Sequence, residues 1–144
     1  LLLAAVLCMC RRAATVGGYC GYDYRENQSS LTHRYTAAYR ENIPLYYRAM
    51  AAVAARYGFA AQEQIRFAGQ KAFAAAIPFA LDSRLPWREK RRELMALRAQ
   101  AADGAAFAAV RQNHPRFTRW AMTLVRLGMP DLPMMLFALR AGKR

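Results

Sequence analysis

The sequence predicts a mainly α-helical protein, in which a bundle-like set of helices over residues 37–144 follows a short strand and a polar loop within residues 1–36. Three observations carry that expectation. From Ile43 onward, apolar residues recur at steps of three and four, the period of a helix with one buried face. Gly58, Ser83 to Pro86, Asp103-Gly104 and Gly128 to Pro130 interrupt the pattern at short intervals, which suits antiparallel helices joined by tight turns. Tyr22 and Tyr24 stand at alternate positions, as in a strand with both rings on one face.

Taken in order, Leu1 to Cys10 is an apolar run closed by Arg11-Arg12. It is about half the roughly 20 residues of a membrane span, and a signal peptide would carry its charge ahead of the apolar stretch. A buried helix whose cations sit at its C-terminal dipole is the better reading. The strand at Tyr22 to Arg25 then leads into Glu26 to Ser30, a run whose Asn and Ser side chains favour turns that bond their own backbone. Past His33 comes an amphipathic helix from Ile43, with Tyr46, Tyr47, Met50, Val53, Ala54 and Tyr57 on its apolar side and Gly58 as its stop. A second, from about Ala61 to Leu81, runs through Ile65, Ala68, Ala72, Phe73, Ala76 and Ile77, and Pro78 is expected to kink or end it.

Pro86 opens a third helix, with Arg88, Lys90, Arg91, Arg92 and Arg98 set around Leu94, Leu97 and Ala101. Asp103 caps a fourth that holds Phe107 and Val110. His114-Pro115 starts a fifth through Phe117, Trp120, Ala121 and Leu124, which Gly128 closes. The last, from about Asp131 to Ala141, places Leu132, Leu136 and Leu139 on one side, and Gly142-Lys143-Arg144 reads as a frayed basic end.

Functional chemistry concentrates in residues 21–33. A strand that delivers Arg25 to a loop containing Asn27, Ser29, Ser30 and Thr32 can hold a phosphate or diphosphate, because a guanidinium makes two parallel charge-assisted bonds to such an anion. The same residues also fit a plain strand-to-helix connection in which Ser29, Ser30 or Thr32 caps the next helix.

An apolar helix, an arginine pair and the pattern Tyr22-x-Tyr24-Arg25-x-x-x-Ser29-Ser30-x-Thr32-His33, followed by alanine-rich helices, resembles the C-terminal part of a family 2 glycosyltransferase. The specific likeness covers about residues 1–40 and rests on Tyr22, Tyr24, Arg25, Ser30, Leu31 and Thr32. Many members of that family place a histidine just after the arginine; this chain has Glu26 and Asn27 there, and its histidine is His33.

The resemblance implies that residues 1–36 are the C-terminal edge of a GT-A α/β catalytic domain and residues 37–144 an α-helical extension. It implies transfer of a sugar from a nucleotide-diphosphate donor to a glycan or lipid-linked acceptor. By the same resemblance, Arg25, Asn27, Ser29, Ser30, Thr32 and His33 form the donor-diphosphate loop, and a divalent metal, Mg or Mn, is held by aspartates outside this chain. The nine acidic residues include no Asp-x-Asp pair, and the sequence opens at Leu1-Leu2-Leu3 without an initiator methionine. A piece cut after the catalytic acid, inactive alone, is therefore the expectation.

Composition sets independent bounds. At 144 residues, 56% hydrophobic and 22% charged, the chain suits one domain with a real core and excludes a disordered polypeptide. Cys8, Cys10 and Cys20 are an odd count without metal spacing, which reads as reduced thiols in a cytosolic protein. With His33 and His114 as the two histidines, no zinc site is expected.

Net charge of +13, with arginine far outnumbering lysine, predicts anionic partners. The basic helix from Trp87 to Arg98, with Glu89 and Glu93 placed to pair with neighbouring cations along it, fits an ordinary solvated face, and its functional alternative is a peripheral contact with the anionic lipid headgroups of a membrane at its cytoplasmic face. The alternative is a small basic helical module that binds nucleic acid. It is disfavoured because the arginines are scattered through every helix rather than arranged in a stripe.

Overall fold

The computed structural model describes residues 35–141, and over them the fold is mainly α. Among the described residues six helices follow one another: α1 (Ala37–Arg56), α2 (Gln62–Asp82), α3 (Trp87–Gln100), α4 (Gly104–Gln112), α5 (Arg116–Arg126) and α6 (Asp131–Ala141). The expected apolar helix at Leu1 to Cys10, the strand at Tyr22 to Arg25 and the basic end Gly142-Lys143-Arg144 lie outside the described residues.

The axis of the bundle is α2, which packs against each of the other five helices. Its buried face carries Phe73, Ala74, Ala76, Ile77, Ala80 and Leu81. Three of these are alanines, which let neighbouring backbones come close from several directions. The bulk that fills the space between helices comes from elsewhere, chiefly Leu94 and Leu97 of α3, Phe107 of α4, Met122 and Val125 of α5 and Met134 of α6. Gly69, on the α1 side of α2, leaves room for the Tyr47 ring, which lies 3.5 Å from where a Cβ would stand.

Two prolines lie inside helices. Helix α2 does not end at Pro78 but runs on to Asp82, and α1 begins at Ala37 and passes through Pro44. Each proline removes one backbone donor. Burial of Ala80 and Leu81 holds the turn after Pro78. The carbonyls it exposes at its end are met by Ser83 Oγ, donating to Ala80 at 2.6 Å, and by Lys90 Nζ, donating to Leu81 at 3.1 Å and Ser83 at 2.5 Å.

The helix ends are closed by local chemistry. Gly58 and Gly128 take positive φ, at 72° and 85°. Around each, the two bonds of a Schellman motif form: Phe59 N to Ala54 O (2.9 Å) with Gly58 N to Ala55 O (3.1 Å), and Met129 N to Leu124 O (2.9 Å) with Gly128 N to Val125 O (3.0 Å). Asp103 caps α4, its carboxylate accepting from Ala106 N at 2.9 Å. Thr36 occupies the N-cap position of α1 without a side-chain bond, and Ser29, Ser30 and Thr32 lie outside the described residues.

That contrast gives a direct test. Asp103→Ala is expected to lower stability by about 1 kcal/mol, whereas Thr36→Ala is expected to change it by no more than a few tenths. Urea unfolding of the two variants measures the difference.

Candidate functional site

The residues expected to hold a diphosphate, Arg25, Asn27, Ser29, Ser30, Thr32 and His33, lie outside the described residues. The described chain starts at Tyr35, just past that loop. What the structure shows is the buried seat of Tyr35, where the described chain begins.

Glu93 is at the centre of that seat. It is a charged residue of α3, yet only 2% exposed. Its Oε2 accepts from Arg40 Nε of α1 at 2.8 Å and from the Tyr35 hydroxyl at 3.3 Å. Tyr35 is itself buried, and its ring meets Tyr39 and Phe79 at centroid distances of 5.8 and 5.7 Å. The residue leading into α1 is thus tied to both α2 and α3. A carboxylate taken out of water is costly unless its lone pairs are engaged, and here a guanidinium and a phenol engage them.

The hydrogen bond to Glu93 holds the Arg40 guanidinium even more firmly protonated than usual. Burial, and then the charge of Glu93, push the Tyr35 phenol well above its ordinary value of 10.0.

This geometry corrects the expectation that Glu93 pairs along its own helix on a solvated face. The signal was present in the sequence: Glu93 lies four residues before Leu97 and next to Leu94, on the inward face. Its partners are Tyr35 and Arg40, for which no local pattern signals this role.

The basic face of α3 is also smaller than expected. Lys90 caps the end of α2, Arg91 Nε reaches Asp131 at 3.3 Å, and Arg98 Nε donates to the Arg126 carbonyl at 2.8 Å, capping α5. Burial pushes the Lys90 ammonium below its ordinary value, with Asp82 opposing that shift. Other cations are used in the same way. Arg111 donates to Thr123 Oγ1 at 3.0 Å, and the Arg126 guanidinium lies 4.6 Å from the Phe107 ring centroid.

Neither arrangement is a catalytic constellation. Among the described residues no three His, Cys, Asp or Glu side chains gather to hold a metal, so none of them fits the divalent cation implied by the resemblance. A shallow groove lined by Glu63, Gln64, Arg66, Phe67 and Asp103 is open to solvent, and the Asp103 carboxylate is already engaged as a helix cap. No protein-family model, curated protein or solved structure matches the chain.

The Tyr35 seat has a pH signature. A phenol whose folded pKa lies above the unfolded 10.0 contributes stability that is complete below about pH 10 and lost as pH rises beyond it, because only the unfolded chain ionises there. Burial shifts Tyr47 in the same direction. Thermal melts from about pH 8 to about pH 11 should therefore show a loss that is shallower in Tyr35→Phe. An identical slope in that variant would remove Tyr35 from the account.

Proposed function

We propose that the chain forms the C-terminal end of a family 2, GT-A type glycosyltransferase, which moves a sugar from a nucleotide-diphosphate donor to a glycan or lipid-linked acceptor at the cytoplasmic face of a membrane. The observation that carries this reading is the run Tyr22-Asp23-Tyr24-Arg25 and its polar loop, which lead directly into α1. In this reading Arg25 grips the diphosphate through paired charge-assisted bonds. Asn27, Ser29, Ser30 and Thr32 shape the loop by bonding their own backbone, and His33 stands at its end. The metal and the carboxylate base come from residues outside this chain, so the chain alone has no transferase activity.

The helical part supports the reading by giving the loop a fixed end. Tyr35 follows His33 closely and is buried against Glu93 and Phe79, which anchors the chain just after the proposed loop. The alternative, a basic helical module for nucleic acid, is weaker. Arg40, Arg98, Arg111 and Arg126 are engaged within the fold rather than presented as one stripe.

Arg25→Ala in the intact enzyme tests the proposal. Loss of a charge-assisted contact to the diphosphate should raise the donor KM or lower kcat by about tenfold to a hundredfold. Unchanged kinetics would show that Arg25 does not touch the donor.

A further inference from the structure

Helix α6 is apolar on both its faces. Its inward side, with Pro133, Met134 and Phe137, packs on the core, while Leu132, Met135 and Leu139 point the other way and are about half exposed or more. Of the three leucines expected to share one side, Leu132 and Leu139 are exposed and Leu136 is half-buried. Across the tight turn at Gly128, Leu127 and Met129 extend the same apolar surface, with Leu127 64% exposed. A helix that is hydrophobic all round belongs in a core or against an apolar medium. No described helix is long and apolar enough to cross a membrane, and α6, with 11 residues, suits lying along a surface.

The rim of this surface is cationic. Arg91 reaches Asp131 at the start of α6, and Arg98 reaches the Arg126 carbonyl, with its guanidinium 3.7 Å from where a Gly128 Cβ would stand. Both are held through Nε, which leaves their terminal nitrogens without hydrogen bonds among the described residues. Two guanidiniums are thus fixed beside the apolar turn with donors to spare. Beyond Asp103 the sequence has a single acidic residue, Asp131, against seven Lys and Arg residues.

We propose that the α5–α6 turn and the outward face of α6 dock on an anionic bilayer, with Leu127, Met129, Leu132, Met135 and Leu139 at the acyl boundary and Arg91 and Arg98 on lipid phosphates. The charge pattern selects this occupant. A second copy would bring two arginine rims together, whereas anionic headgroups complement them and the apolar residues enter the layer beneath. The contact shares Arg91 and Arg98 with the basic helix from Trp87 to Arg98 but is centred on the α5–α6 turn and α6, and it does not depend on the transferase reading.

Sedimentation of the full chain with phosphatidylcholine vesicles, with and without phosphatidylglycerol, tests the proposal. Binding should be strong only with phosphatidylglycerol and should weaken as salt is raised. The double variant Leu132→Gln/Met135→Gln, which changes no charge and only outward positions, should bind at least about tenfold more weakly with unchanged circular dichroism. Absence of vesicle binding by the unmodified chain would overturn the proposal, as would equal binding by the variant. A dimer in solution that the variant dissolves would assign the surface to a second copy instead.

Discussion

A single buried carboxylate organises the start of this fold. Glu93 sits on a helix whose other charged residues are mostly exposed, yet it is buried and joined to Arg40 and Tyr35 of the segment that opens α1. Such a group is stable in the interior only while both partners remain, because an unpaired buried charge costs several times what a surface ion pair contributes. The arrangement fixes where α1 begins and how it lies on α3. Through Tyr35 it also fixes the position of the residues that lead into α1. Burial of the ring and bonding of the hydroxyl are both needed: the ring alone could slide among Tyr39 and Phe79, and the hydroxyl gives it one position.

Around that anchor, much of the chain's positive charge serves the structure. Lys90 meets the carbonyls at the end of α2, and Arg98 does the same for α5. In each case a cation from one helix satisfies the C-terminal dipole of another, coupling two elements with one side chain. The net charge of +13 is therefore a poor guide to a binding surface by itself. What matters is which guanidiniums keep donors after the fold has used its share, and Arg91 and Arg98 beside the α5–α6 turn do so.

Much of the helical architecture is legible in the sequence because its signals are local. Gly58 and Gly128 close α1 and α5, Asp103 caps α4 and Pro86 precedes α3, each through a preference that acts within a few residues. The misreadings are non-local. Pro78 carries a local preference for a kink or stop, but packing of Ala80 and Leu81 outweighs one lost backbone bond and α2 runs on to Asp82. The Leu132 to Leu139 spacing marks an apolar face of α6, while Pro133, Met134 and Phe137 mark the one that the core takes; only contact with α2 and α5 decides between them. Glu93 was read as a surface residue because its partners lie far away in sequence. The candidate loop, Arg25 to His33, remains a matter of residue pattern, since the described fold begins at Tyr35.

The central claim is that the Glu93 carboxylate and the Arg40 guanidinium hold the start of α1 on the bundle, and a double-mutant cycle tests it most directly. Urea unfolding of Arg40→Ala, Glu93→Ala and the double variant should give a coupling energy of about 2 kcal/mol, each single change costing nearly as much as both together. Coupling indistinguishable from zero, with the two effects simply adding, would mean that the contact at 2.8 Å contributes nothing. The seat under the loop would then have to be explained by the Tyr35 ring alone.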